Sequence, residues 1–364
     1  MAQEYRNKID KKNNTTKPSI FSDENPVIGT IIENGKISEF KIPLQYFKKN
    51  LLICGDSCTG KSSVIKRILL QIIEETNLNP IIFDDNSEYN KLVNSGWLNR
   101  ETLVIHFGRD NFTINPLEFL KRDDERYLDI LIDIFRISFN LNIAELFILR
   151  EIILILKEDV EKPTLADLKL YLECAPDGIK IFSEDIIKNA MAHLKTILTA
   201  LTKGPNREIF ECESGNINIG KLQDFPMIIK FSSINQSAKK FIKNLIFLNQ
   251  LHFKKTKSSN RPHLMVCDPI IDISETLLDF NETENLNEAI IGSLKTPFKK
   301  QKRYIKRFRN HILLHISSEE DIKFLKKNIE EIKPNQLNRL EMGSSIIKLC
   351  DNRIRLVQID DFYF

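Results

Sequence analysis

Apolar residues fall along the chain in two alternating kinds of run. Leu51-Leu52-Ile53-Cys54 is short and unbroken, which suits a strand covered on both faces. The period then changes. Val64, Ile65, Ile68, Leu69, Ile72 and Ile73 recur at helical spacing and predict a helix over 62–75. Short apolar runs return at 80–83, ending in Asp84-Asp85, and at 103–107, ending in Gly108. Strands alternating with helices predict a mainly parallel sheet of the α/β class. Upstream, two β-like runs at 29–32 and 37–42 flank Asn34-Gly35, a strong tight-turn signal, and Pro43 breaks the second run. The segment 27–48 therefore reads as a β-hairpin.

Between 121 and 204 the strand signal disappears. Helical spacing predicts helices over 126–138, 144–157, 164–174 and 183–203. Thr164 with Asp167 fits a capping box; Ser183 with Glu184 and Asp185 starts the last helix and Gly204 ends it. This block reads as an all-helical insertion into the α/β domain. Strands return at 227–231, 264–267, 311–316, 345–349 and 354–359. One helix is predicted over 237–254 and another after Ser318, with Glu319, Glu320 and Asp321 in its first turn. No internal repeat is visible.

At 364 residues, 42% hydrophobic and 28% charged, the chain can bury a sizeable core in one large domain or two ordinary ones. A formal net charge of +3 is too small to name a nucleic-acid partner, so the placement of charge must decide. The polar start, 1–26, lacks the apolar core of a secretory signal and reads as a disordered lead. The most apolar stretch, 146–156, is interrupted by Arg150 and Glu151 and is too short to be an integral membrane segment. Six cysteines without paired spacing point to reduced thiols and a cytoplasmic protein. Cys54 and Cys58 form a C-x-x-x-C, but they sit in or beside a glycine loop whose backbone has another task.

That loop is Gly55-Asp56-Ser57-Cys58-Thr59-Gly60-Lys61-Ser62, an ungapped match to G-x-x-x-x-G-K-[ST] between a buried strand and an amphipathic helix. The glycines let successive N–H groups face a phosphate, and the helix N-terminus adds partial positive charge. Lys61 would bridge the β- and γ-phosphates of a nucleoside triphosphate and Ser62 would ligate Mg²⁺. The expected nucleotide-binding set is this octapeptide together with Ser63. Asn7-Lys8-Ile9-Asp10 mimics a guanine-reading N-K-x-D motif, but no strand precedes it, and it is set aside.

A P-loop motor also needs an acid at the end of a neighbouring strand to hold the hydrated metal. Leu264-Met265-Val266-Cys267-Asp268 supplies one, making Asp268 the expected second metal residue. The usual hydrolytic glutamate would follow it directly. Pro269 stands there instead, and proline accepts no proton. The other reading of Asp268 is a strand-terminating residue with no metal role.

With these segments in order, the chain resembles the HerA/FtsK superfamily of hexameric ATPases, and within it the HerA-like and conjugation-type members, over roughly 27–364. Ile42-Pro43-Leu44 leading into the P-loop resembles the family's approach to that motif. The run from Ile81 to Tyr89 is similar to its second strand and D-x-x-G-E-Y element: Asp84, Glu88 and Tyr89 match, and Ser87 replaces the glycine. Ile114-Asn115-Pro116-Leu117 resembles the family's N-P-L turn, and Leu340-Glu341-Met342-Gly343 its last turn. The resemblance implies a RecA-like core at 49–120 and 205–364, a helical insertion at 121–204, ATP and Mg²⁺ as cofactors, and assembly into rings. It also implies double-stranded DNA as a partner. Two departures stand out. Pro269 replaces the Walker B glutamate, and the stretch matched to the family's γ-phosphate-sensing Gln, His315-Ile316-Ser317-Ser318, contains none. Glu88 is the candidate substitute base, giving Lys61, Glu88 and Asp268 as the expected catalytic set.

Eight cations, Lys295, Lys299, Lys300, Lys302, Arg303, Lys306, Arg307 and Arg309, fall together with no acid among them, and Phe298, Tyr304 and Phe308 are interleaved. One reading is contact with nucleic-acid phosphates with the aromatics stacking, or an Arg303 or Arg307 reaching a neighbouring subunit's nucleotide. The other is a solvated helix face with Ile305 and Phe308 packed inwards. Arg207 is a weaker candidate of the same kind. His311 and His315 would lie about 13 Å apart on one strand face, too far to share a metal. Three functions remain open. They are a DNA-translocating or helicase-like ring ATPase with weakened hydrolysis, a nucleotide-binding assembly or regulatory subunit (alone or with an active ATPase), and a secretion-type ATPase.

Overall fold

Strand residues alternate in which core they enter, and this sets the architecture. Leu52 and Cys54 of β3 (Leu51–Gly55), Ile81 and Phe83 of β4 (Asn79–Asp84), and Met265 and Cys267 of β7 (His263–Cys267) enter one apolar cluster. Their neighbours Leu51, Ile53, Ile82, Leu264 and Val266 enter a second. A period of two with both faces apolar makes a sheet covered on both sides. In this computed structural model, that sheet has eleven strands in the order β2-β1-β11-β10-β9-β3-β8-β7-β4-β6-β5. The other strands are β1 (Val27–Glu33), β2 (Lys36–Lys41), β5 (Leu103–Phe107), β6 (Met227–Phe231), β8 (Glu288–Lys295), β9 (Asn310–Leu313), β10 (Ser344–Lys348) and β11 (Ile354–Ile359). The structure describes residues 25–33, 36–47, 49–76, 78–94, 101–118, 125–174, 181–217, 223–257, 262–329, 334–351 and 353–359. The lead 1–24 and the Asn34-Gly35 turn lie outside them.

From β9 to β5 every pairing is parallel; from β9 outward through β10, β11, β1 and β2 every pairing is antiparallel. The hairpin at the start of the chain thus joins the main sheet by pairing β1 with β11. The strand expected over 311–316 stops at Leu313, and β8 was not anticipated at all.

Helix α1 (Lys61–Glu75) puts Val64, Ile65, Ile68, Leu69, Ile72 and Ile73 into the second cluster. The first cluster takes its helical side chains from α2 (Glu125–Phe139), α3 (Ile143–Asp159), α4 (Leu165–Glu173), α5 (Glu184–Leu201) and α6 (Gln236–Lys257), with α2 packed on α6 and α3, α4 and α5 packed on one another. Thr164 and Asp167 form the expected capping box, and Asn142 with Glu145 forms a second. Ser183 makes no side-chain cap bond, and α5 ends at Leu201 rather than at Gly204, which begins a 3-10 turn at φ 60°. The Asn115 amide donates to the carbonyls of Pro163 and Glu213 (both 2.9 Å) and accepts from the Leu117 amide. The N-P-L turn thereby pins the helical block to the sheet.

The exit of β5 depends on Gly108. Its φ is +80°, and a Cβ there would meet the Ser232 carbonyl oxygen at 2.1 Å. Both the left-handed backbone and the contact penalise a side chain. Gly108→Ala is expected to cost about 2–3 kcal/mol in urea unfolding; an unchanged midpoint would show that β5 and β6 can part there freely.

Candidate functional site

The C-terminal ends of β3, β8, β7 and β4 lie side by side, the edge where parallel α/β sheets hold ligands. The phosphate loop leaves β3 there. Its backbone is left-handed at Cys58 (φ 60°) and at Gly60 (φ 92°), so the chain curls before α1 begins. Thr59 Oγ1 donates to the Asp56 carbonyl at 2.9 Å and closes the curl. The Lys61 ammonium donates to the carbonyls of Gly55 (3.1 Å) and Asp56 (2.5 Å), lying back over the loop that it would leave to meet a phosphate. Burial lowers its pKa, opposed by the nearby Asp268 carboxylate.

Ser62 and Asp268 are 206 residues apart in sequence and come together. Ser62 Oγ donates to Asp268 Oδ2 at 3.0 Å. Two hydroxyls not anticipated from sequence converge on the same carboxylate: Tyr89 donates to Oδ2 at 2.9 Å, and Ser293 donates to Oδ1. Burial raises the Tyr89 pKa well above its ordinary value, so the phenol stays a donor. A hydroxyl and a carboxylate converging beside a phosphate loop are an all-oxygen donor set of the kind magnesium takes. Ser62 and Asp268 fit that role, with Tyr89 and Ser293 orienting the acid.

These groups line a cleft of about 140 Å³ together with Lys61, Asp84, Asp85, Asn86, Glu88, Pro269 and Lys295. Glu88 is half-buried in it, set by a turn in which the Glu88 and Tyr89 amides donate to the Asp84 carboxylate (2.9 and 3.2 Å). Ser87 takes a left-handed φ of 58° in that turn, where the resemblance has glycine. Pro269 lies on the cleft wall. Asp272 turns away: buried Lys243 bridges it (2.9 Å) to Asp85. That clamp ties the loop after β4 to the loop after β7.

The stretch His315-Ile316-Ser317-Ser318 follows β9, on the other side of β3 from Asp268. Ser317 there holds Asp56 Oδ2 through its amide (2.8 Å) and hydroxyl (2.7 Å), while Thr296 holds Oδ1 (3.0 Å). Burial would raise the Asp56 pKa, but these hydrogen bonds outweigh it and lower it. The strand between β3 and β7 is β8, and its tip carries Ser293 and Lys295 into the cleft.

The basic stretch divides. Phe298, Tyr304 and Phe308 are buried in the core with Ile305, so stacking on bases is not open to these aromatics. This corrects the expectation drawn from their interleaving. Amphipathic spacing placed them inward, and the cations are the outer face of α7 (Lys302–Arg307) and its flanks. Lys299, Lys302, Arg303, Lys306, Arg307 and Arg309 are exposed, and the Lys300 side chain lies outside the described ones. Arg303 pairs with Glu275, and Arg307 donates to the Glu275 carbonyl at 2.7 Å. Both border a separate cleft of about 930 Å³ against α2. Arg207 pairs with Glu211 on the surface.

The cysteines are free. Cys54 and Cys267 are buried and burial pushes their thiols up, as expected of packing residues. Among the described residues no His, Cys, Asp and Glu group with metal-site geometry occurs, and no helix is long and apolar enough to cross a membrane.

Among solved structures, the fold is similar to VirB4 of Thermoanaerobacter pseudethanolicus, with a TM-score of 0.67 and 16% identity over 95% of this chain and 99% of that one. It is also similar to the plasmid coupling protein TrwB bound to an ATP analogue (TM-score 0.65, 11% identity, 98% and 92% covered). TrwB with ADP and Mg²⁺ gives a TM-score of 0.63 at 12% identity, covering 89% and 88%. Among curated proteins no sequence matches. Residues 26–251, more than half of the chain, match the family described as the central domain of helicase HerA, and the protein belongs to that family.

Proposed function

We propose that this chain binds ATP with Mg²⁺ at the β3–α1 loop. It serves as a cytoplasmic subunit of a ring-forming, helicase-like motor that translocates double-stranded DNA, with weakened hydrolysis. The observation that carries the reading is the convergence of Ser62, Tyr89 and Ser293 on Asp268 beside the phosphate loop. In this reading Gly55, Asp56, Ser57, Cys58, Thr59, Gly60, Lys61, Ser62 and Ser63 hold the phosphates. Ser62 and Asp268 hold the metal, which when bound supplies charge neutralisation at the β- and γ-phosphates. The core is 49–120 with 205–364, and 121–204 is inserted into it. The ADP and Mg²⁺ in the TrwB structure support the nucleotide assignment by analogy of fold.

Hydrolysis needs a group that takes a proton from the attacking water. Pro269 offers none, and Glu88 is the carboxylate in the cleft that no described hydrogen bond or ion pair engages. Steady-state ATP turnover with Mg²⁺ is expected to rise on adding double-stranded DNA. Glu88→Gln is expected to lower it by about 10²-fold or more, the span of general-base catalysis, while ATP affinity holds within a few-fold.

Pro269 also favours a second reading, an assembly or regulatory subunit that works as a homo-oligomer or beside an active ATPase. ATP binding without turnover, with or without DNA, would select it and remove the autonomous motor. A secretion-type role draws support only from the likeness to VirB4 and to a conjugative coupling protein. It predicts turnover that DNA leaves unchanged.

A further inference from the structure

We infer that Asp56 is a positioning residue whose side chain ties the phosphate loop to the segments leaving both neighbouring strands and so holds the loop in its binding shape before nucleotide arrives; this rests on the nucleotide reading above. An acid inside a loop that must hold phosphate is an electrostatic liability unless its charge is engaged elsewhere. Here donors on both flanks of β3 take up both carboxylate oxygens. Oδ1 accepts from the Thr296 hydroxyl (3.0 Å), just past β8. Oδ2 accepts from the Ser317 amide (2.8 Å) and hydroxyl (2.7 Å), past the end of β9. β9, β3 and β8 are consecutive neighbours in the sheet, so one side chain spans the tip of the middle strand. The backbone of Asp56 is engaged as well. Its amide donates to the His315 carbonyl (3.0 Å), and its carbonyl accepts from Thr59 (2.9 Å) and Lys61 (2.5 Å).

The tip of the loop has little else to hold it. Ser57 and Cys58 are exposed, and a Cβ at Gly60 would meet nothing within 4 Å. The side chains of Thr59 and Lys61 bond back to Gly55 and Asp56, within the loop itself. The shape is therefore fixed at the base, where Asp56 meets Thr296 and Ser317. A backbone released there samples more conformations, and a ligand that needs one of them binds more weakly. Burial would raise the Asp56 pKa, but the hydrogen bonds from Ser317 and Thr296 outweigh it, so the group is ionised at neutral pH and accepts from all three donors. An asparagine could keep the clasp without the charge, its carbonyl accepting from Ser317 and its amide donating to the Thr296 hydroxyl oxygen. Alanine could not.

The test is calorimetric titration of the full chain with ADP and with a non-hydrolysable ATP analogue, each with Mg²⁺, well below the unfolding temperature. The proteins compared are the parent chain, Asp56→Ala, Asp56→Asn, Ser317→Ala and the double variant Asp56→Ala with Ser317→Ala. Asp56→Ala is expected to weaken both nucleotides by the same factor, about tenfold, because the loop shape serves the phosphates they share. Asp56→Asn should stay within about threefold of the parent. Ser317→Ala should weaken binding in the parent chain and change nothing further once Asp56 is alanine, since the hydroxyl acts through that carboxylate. Thermal denaturation separates the clasp from a contact that serves the fold alone: the latter would lower the unfolding temperature and leave the affinity of the folded chain unchanged, which would overturn the assignment. Tighter binding by Asp56→Ala would overturn it too, by showing that the carboxylate repels phosphate. Either result leaves the phosphate-loop reading intact, whereas a parent chain that binds neither nucleotide would remove both.

Discussion

The Lys61→Ala protein is expected to bind ATP at least about a hundredfold more weakly than the parent chain, with no loss of fold. Lys61 heads α1 at the mouth of the phosphate loop and is the only cation of the loop itself. A hydrogen bond to a charged group contributes about 1.5–3 kcal/mol, and a lysine bridging two phosphates makes more than one. Two such contacts amount to about 3 kcal/mol or more, hence the hundredfold. Without nucleotide the same ammonium only covers the Gly55 and Asp56 carbonyls. Because burial lowers its pKa, the charged lysine does not stabilise the empty fold. Removing it should therefore move binding and leave the unfolding temperature within a few degrees. Titration of the variant with ATP and Mg²⁺ checks this, and an affinity within about threefold of the parent would show that the loop does not hold phosphate.

The largest expected effect on stability is at the opposite edge of the sheet. Glu288 opens β8, fully buried, and joins Lys254 of α6 (2.7 Å) and His263 at the start of β7 (2.9 Å). Burial alone would raise the Glu288 pKa, but Lys254 and His263 outweigh it and hold it near 2, against 4.5 for an unperturbed glutamate. A carboxyl with a depressed folded pKa contributes stability above its unfolded pKa and loses it as pH falls towards the folded one. This one therefore stabilises fully above about pH 4.5, loses the contribution between there and pH 2, and adds about 3 kcal/mol to the pH dependence. Glu288→Gln leaves a buried ammonium without its counter-charge and is expected to cost about 3–5 kcal/mol in denaturant unfolding at pH 7. The variant's stability should also fall less between pH 5 and 3 than the parent's. Pairing Glu288→Leu with Lys254→Met should recover much of the loss, because no unpaired charge is left behind. A Glu288→Gln chain as stable as its parent would mean that Lys254 is satisfied by the Leu286 and Asn287 carbonyls alone.

Much of this protein was legible along the chain because the signals involved are local. The phosphate loop lies within eight consecutive residues, and its strand and helix are marked by a change of period between Cys54 and Val64. Capping at Thr164 and the run ending in Asp268 span a few residues each. The helical block showed itself by the loss of strand signal over more than eighty positions. β8 was missed because Gly292 and Ser293 interrupt its apolar run, and the cations after it read as a phosphate contact or a solvated helix face.

What joins residues far apart was decided only in three dimensions. Tyr89 and Ser293 meet on Asp268, Lys243 clamps Asp85 to Asp272, and β1 docks on β11. Each is a contact between segments tens to hundreds of residues apart, made by side chains whose own neighbours in sequence give no sign of it. The inward turn of Phe298, Tyr304 and Phe308 is of the same kind. Their periodicity was compatible with a stacking surface or a core face, and their burial in the larger apolar cluster chose the core. The sequence alone determined which phosphate chemistry the chain carries, because a backbone loop and one lysine suffice to write it. The tertiary structure decided which acids and cations surround that loop, because burial and strand order, rather than local pattern, bring them to one edge of the sheet.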